Sequence, residues 1–505
     1  SGVLLDFSKV SFPGPSTALN IASELESLKE SGKPVIAYSE SMATAAYLMA
    51  AGADEIYVHP SGALAISGLG GYRDYIRELT VKLKLTIHNY SQGDYKSAAE
   101  GLTRDDMSAA DREQRLAIYD PIWNRLKDTM SAPRELEPEL FQNLADNHVI
   151  PLLLEAGYDN LSYATRQGMI DGTKSFPEFR AHMIEKFGRE ESEDEERDTY
   201  PHISWLAYQN QIAQEPDNTG ESVAVIFVEG AIQTGPLRPG VAGADDIAAL
   251  LRRAHESEET RAIVMRVNSP GGSILGSDHI REELEAASRK DLPVVVSMGD
   301  VAASGGVWVS TPADAIFAEP TTITGSIGVA VAFPTAENAL EHIGVNLDGV
   351  TTSRHAGWSL ALPVDEELDA MFSRWASSAY RRFVEVVAVS RARDTDYIRS
   401  IAGGRVWLAP EALELGLIDQ LGTMEDAIAH AAAMAELDSY RVDYVVKPPS
   451  YTMALLQRFS IAVGQSQARS FNLFADSAAR LIETLENLSQ PRATVMCTVC
   501  SVELL

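Results

Sequence analysis

Two α/β units in tandem, each built on a largely parallel sheet, are what the sequence predicts. Three observations predict them. Short apolar runs alternate with helical patterns through residues 221–445. Parts of that plan recur in the first half of the chain. The 505 residues are 45% hydrophobic, which is enough for more than one core.

The elements follow in order. Val3-Leu4-Leu5 opens the chain as a strand, and Lys33–Tyr38 supplies another. Leu85–Tyr90 is strand-like and precedes Gly93-Asp94-Tyr95-Lys96. Residues 189–198 are almost all charged and mostly acidic, so they read as a solvated connection. Val223–Val228 is a buried strand, Asp245–Ala254 a helix and Ala262–Val267 the next strand. The turn Ser269-Pro270-Gly271-Gly272 leads to a helix over 278–289, and Pro293–Met298 is a further strand. The expected organisation is a first half over 1–188, an acidic connection over 189–220, a second half over 221–445, and a peripheral helical tail over 446–505. That tail carries the only cysteines, Cys497 and Cys500, so a disulfide framework is excluded.

The repeat is specific. Lys33-Pro34-Val35-Ile36 resembles Leu292-Pro293-Val294-Val295. Ala53, Asp54, Ile56 and Pro60 match Ala313, Asp314, Ile316 and Pro320 at an offset of 260, and Ala164, Gly168, Ile170 and Asp171 match Ala412, Gly416, Ile418 and Asp419 at 248. Three matches in the same order indicate an internal duplication with insertions.

Charge narrows the partners. The net charge of −30 repels phosphate backbones, so no nucleic-acid partner is expected. No window of 18 apolar residues spans a membrane. The chain starts without Met, directly in a strand. Its counterpart Ile263–Val267 has a whole strand, Val223–Val228, upstream. Residues before Ser1 are therefore expected.

Two turns carry candidate chemistry. Ser304 sits in Ala303-Ser304-Gly305-Gly306, between a strand and a helical pattern, a place that suits a nucleophile and, more commonly, an N-cap serine. Asn268-Ser269-Pro270-Gly271-Gly272 is the second turn, and the amides of Gly271, Gly272 and Gly305 are candidates for an oxyanion hole. A nucleophilic serine needs a base. The second half offers His202, His255, His279, His342, His355 and His430, none in a local signature. Lys96 serves if burial lowers its pKa. At offset 260, Thr44 falls on Ser304 and Lys96 on Ala356, so each half keeps one member of a Ser/Lys pair.

With these motifs, together with Thr324-Gly325-Ser326-Ile327-Gly328 and Tyr95-Lys96-Ser97-Ala98, nearly the whole chain resembles the signal peptide peptidase A (protease IV) family in its long, duplicated form. The resemblance implies a crotonase/Clp-protease-like superhelix of β-β-α units, with Ser304 as nucleophile and Lys96 as general base. It implies peptide substrates, namely cleaved signal peptides and other short or unfolded hydrophobic segments, and no metal or cofactor. It implies a bowl-shaped homotetramer with a membrane anchor ahead of the first half, held at the bacterial inner membrane and facing the periplasm. A crotonase-like acyl-CoA enzyme and an inactive oligomeric scaffold are the alternative readings.

Overall fold

The computed structural model describes residues 1–10, 14–148, 159–190, 199–212, 220–447 and 494–496. The acidic run 191–198, residues 448–493 of the tail, and Cys497 and Cys500 lie outside the described residues.

Two parallel sheets organise the chain. The first-half sheet orders its strands Val3–Asp6, Val35–Ser39, Glu55–Val58 and Gly172–Thr173, all parallel. The second-half sheet has eight strands. At its centre Thr260–Ser269 pairs in parallel with Ser222–Glu229 on one side and Val294–Ala303 on the other. The strand Val294–Ala303 also takes Ala315–Ala318 and Ile323–Gly325, and Val406–Leu408 closes the edge antiparallel to the latter. Val294–Ala303 is buried almost throughout, as a parallel strand covered on both faces should be.

The units are β-β-α in order. Thr260–Ser269 is followed by the short strand Gly271–Ser273 and the helix Ile274–Ser288; Ser222–Glu229 by Ala231–Gln233 and, after Val241–Gly243, by the helix Ala244–Glu256. These short strands make a small sheet of their own, with Thr494–Met496 antiparallel on its far edge. The helix expected over 278–289 starts earlier, at Ile274. Ser273 caps it by accepting from the amide of Gly276, and the exposed Leu275 hides the first turn from an apolar-face reading.

The duplication reaches individual struts. Val3 pairs with Val35 as Ile263 pairs with Val294. Asp54 accepts from the amide of Val35, and Asp314 from that of Val294, both at 2.8 Å. Asp171 accepts from Ile56 and Arg134; Asp419 accepts from Ile316 and Arg391. Helices Arg77–Lys82 and Glu337–His342 coincide at offset 260. Met42–Ala43 pairs with Leu64–Ala65 as Ala302–Ala303 pairs with Thr324–Gly325, which fixes Thr44 opposite Ser304.

The halves interlock. Ala303, Ile323, Val406 and Leu408 of the second half complete the apolar core formed by Phe7, Val35, Tyr47, Ile56 and Trp123 of the first. Asp300 receives the amides of Ser16 and Thr17 and the Thr17 hydroxyl, at the start of helix Pro15–Leu28. Glu319 bridges Arg266 and Asn20. Finally Thr86–Asn89 of the first half pairs antiparallel with Ala332–Thr335 of the second.

Candidate active site

The strand Val294–Ala303 ends at Ser304, where the backbone turns sharply into helix Gly305–Ser310. Ser304 has φ 55° and ψ −109°, a conformation that costs a residue with a Cβ on the order of 1–3 kcal/mol. The turn is held from several directions. The amide of Ser304 donates to Gly325 O (2.8 Å), and its carbonyl accepts from Trp308 N. The Trp308 indole donates to buried Asp278, which is also paired with Arg382.

The two glycine turns meet here. A Cβ on Gly305 would lie 2.8 Å from Ser277 Oγ, 3.0 Å from Gly271 Cα and 3.1 Å from Gly272 N, so only glycine permits the approach. The amide of Gly271 donates to Ser269 Oγ at 3.1 Å.

Lys96 comes from the other half. Strand Thr86–Asn89, pinned to Ala332–Thr335, feeds the loop that carries it. Gln92 bridges Val329, and the Tyr95 amide donates to Gly403 O. Gly404, at φ +84°, packs on the lysine backbone, where a Cβ would come within 2.7 Å of Lys96 N. The lysine is 7% exposed and Ser304 is fully buried. Lys96 Nζ lies 2.9 Å from Ser304 Oγ, 2.9 Å from Ser326 O and 2.9 Å from Ser326 Oγ. Burial alone lowers its pKa from the usual lysine value to about 7.

The structure thus brings together Ser304, Lys96, Gly271, Gly272 and Gly305. Ser326 belongs to a motif singled out in the sequence, but nothing in the sequence marked its side chain as a partner of Lys96. The histidines make their contacts elsewhere: His255 with Glu283 and Lys290, His355 with Asp365, His279 near Asp245, His430 against Phe317, and His202 with Tyr200. His342 ends the surface helix Glu337–His342.

A family model, Peptidase family S49, matches residues 27–171 and 286–438, one segment in each half. The chain belongs to peptidase family S49. This S49 chain is a serine peptidase by family. It is 38% identical over 451 residues to "Protease 4" of Salmonella typhi, covering 89% of this chain and 72% of the relative. It is 29% identical over 417 residues to "Serine protease SPPA, chloroplastic" of Arabidopsis thaliana, covering 81% of this chain and 59% of the relative. Among solved structures, a point mutant of ClpP1 from Listeria monocytogenes overlaps 40% of this chain and 94% of its own, at 16% identity and a TM-score of 0.27, too slight an overlap to argue from. The tandem α/β construction of this S49 peptidase is carried by its own sheets and by the paired family segments.

Proposed function

We propose that the chain hydrolyses peptides through a Ser304/Lys96 dyad. The observation that carries this is the 2.9 Å approach of a buried Lys96 Nζ to Ser304 Oγ. With a pKa of about 7, a large share of the lysine is neutral at physiological pH. A neutral amine has two N–H bonds and one lone pair. Ser326 O and Oγ accept the two N–H bonds, which leaves the lone pair for the Ser304 proton.

Lys96 takes that proton as Ser304 Oγ bonds to the substrate carbonyl carbon. The amides of Gly272 and Gly305 stabilise the oxyanion, while Gly271, its amide engaged by Ser269, holds the turn in shape. The leaving amine collects the proton from the Lys96 ammonium. Water then attacks the acyl-enzyme, giving its proton to Lys96, and Ser304 is regenerated.

The substrates in this reading are extended segments such as cleaved signal peptides and unfolded hydrophobic peptides. The edge of Gly271–Ser273 favours it, because an extended stretch of this chain, Thr494–Met496, pairs antiparallel there. A crotonase-type acyl-CoA reaction needs no such lysine, and an inactive scaffold needs neither residue. The test is peptide cleavage by Ser304→Ala and Lys96→Arg proteins. Both should be inactive and folded, since guanidinium does not release its proton in this range. A cleaving Lys96→Arg protein defeats the dyad.

Assembly into a ring of copies, a homotetramer in this reading, is supported by the duplication. Residues 86–89 pair with 332–335 inside the chain, but their counterparts 346–349 and 72–75 form no such pair. Around them Tyr72, Ile343, Val345, Leu347 and Val350 are exposed. Repeating the internal pairing between copies joins them head to tail. Leu347→Asp should then lower the mass found by light scattering, and an unchanged mass removes this interface. Among the described residues no helix is long and apolar enough to cross a membrane. An anchor at a bacterial inner membrane, with the site facing the periplasm, is part of this reading. Fractionation of cells expressing the complete reading frame tests it.

A further inference from the structure

One fully buried carboxylate near the site has no part in the mechanism above. Asp111 lies in the first turn of the helix Ala109–Ser131, whose N-cap is Ser108. It accepts from Ser97 Oγ (2.7 Å), Gln114 Nε2 (3.2 Å) and Arg115 Nε (3.0 Å). Ser97 directly follows Lys96. Gln114 Nε2 also reaches the carbonyl of Tyr95, at 3.3 Å, which directly precedes it. One helical face, at i and i+3, therefore grips the chain on both sides of the lysine.

The grip extends to the serine. Gln114 Oε1 accepts from the amide of Val406, at 3.4 Å. Val406 pairs with Gly325, and Gly325 O accepts from the amide of Ser304. A connected path thus runs from Lys96 through Ser97, Asp111, Gln114, Val406 and Gly325 to Ser304. It closes a ring whose last link is the contact between Lys96 and Ser304 themselves. A lysine side chain loses about 2 kcal/mol of rotamer freedom when fixed, so its loop needs such a fixture.

We propose that Asp111 and Gln114 are positioning residues that set the separation and dryness of the Lys96–Ser304 pair. The proposal rests on the dyad reading given under Proposed function. The charged groups around the grip are Asp111, Arg115, Arg73, which donates to the Ser97 and Ala98 carbonyls, and the Arg405–Glu113 pair beside Tyr95. None of them is a source of the Lys96 shift, which is burial alone. Loosening the loop admits water to the amine, raises its pKa, and leaves more of it protonated at neutral pH.

The test uses the full chain and a fluorogenic peptide, with kcat and KM measured from pH 6 to 10. Gln114→Met removes the three contacts of the side-chain amide, with Tyr95, Asp111 and Val406, at similar volume, and Ser97→Ala removes one hydroxyl. For each we expect kcat at pH 7 to fall about 10- to 100-fold, with KM within about twofold. The rising limb of kcat should move to higher pH by about one unit, so that activity recovers near pH 9. Ser97→Thr, which keeps the hydroxyl, should restore the parental limb. A parental profile in both Gln114→Met and Ser97→Ala overturns the proposal. So does an equal loss at every pH accompanied by a lower Tm, which marks a purely structural role. Failure of the dyad itself shows separately, as activity in Lys96→Arg whatever these profiles do.

Discussion

The two halves carry the same scaffold and different chemistry. Asp54 and Asp314 brace equivalent strands with equal geometry, as do Asp171 and Asp419. At the end of the equivalent strands, however, Thr44 begins an ordinary helix after an extended Ala43, whereas Ser304 is held at φ 55° ahead of two glycines. The Thr44 hydroxyl turns to Ser67 O; the Ser304 hydroxyl meets an amine. Lys96 is buried, while its counterpart Ala356 lies on an exposed loop. The strained serine and the buried lysine thus meet in one composite site drawn from both halves, and in the proposed mechanism neither half is complete alone.

The largest expected effect breaks the comparison at the serine. Ser304→Ala should lower peptide cleavage by roughly 10⁴-fold or more while the melting curve stays close to parental. Grafting Thr44→Ser, Ala45→Gly and Ala46→Gly onto that variant should restore nothing, because the counterpart of Lys96 for the first-half turn is the exposed Ala356. Cleavage by the graft would show that one half suffices. Gly305→Ala comes next. Its Cβ would press on Gly271 Cα and Gly272 N, so kcat should fall about 10²- to 10³-fold, as for loss of an oxyanion donor. A loss under threefold would place the oxyanion site elsewhere.

Smaller effects concern stability and the joint between halves. Asp300→Ala leaves the Ser16 and Thr17 amides without their acceptor, at a cost of about 2–3 kcal/mol in urea unfolding. Gly14→Ala should act on the same joint from the other side, since its Cβ would fall 2.3 Å from Asp300 Cγ. The smallest effect sharpens the likeness. Asp54→Ala and Asp314→Ala each remove an acceptor from one strand amide, and each should cost about 1–2 kcal/mol. Costs differing by more than about 2 kcal/mol would mean the struts are not equivalent.

Much of this was legible in the sequence because the duplication preserved residues with fixed structural jobs. Asp54/Asp314 and Asp171/Asp419 stand in both halves, and each holds a strand amide. Ser304 was legible because a serine before two glycines at a strand-to-helix turn is a local pattern. Lys96 became legible through the offset and the family resemblance, since nothing in its own neighbourhood distinguishes it from a surface lysine. Ser326 and Asp111 were not legible as partners. Ser326 meets Lys96 across 230 residues of chain, and Asp111 stands in a helix rich in charge where nothing local separates it from the other acidic residues. The same holds for Asp300, whose partners on helix Pro15–Leu28 lie 283 and 284 residues away. Sequence periodicity reports which face is buried, not which distant backbone amide it meets.

In the proposed mechanism Lys96 is neutral when it meets Ser304. The direct measurement is an NMR titration of the Lys96 amine in protein carrying ¹³Cε-labelled lysine, with the signal identified by its loss in Lys96→Arg, alongside kcat over the same pH range. Because burial lowers the pKa, the amine sheds its proton near neutrality, and activity should climb with rising pH through the same value. A midpoint of about 7 is expected in both curves. A Lys96 midpoint near the ordinary lysine value, with kcat still rising near pH 7 and lost on replacing one histidine, would contradict it.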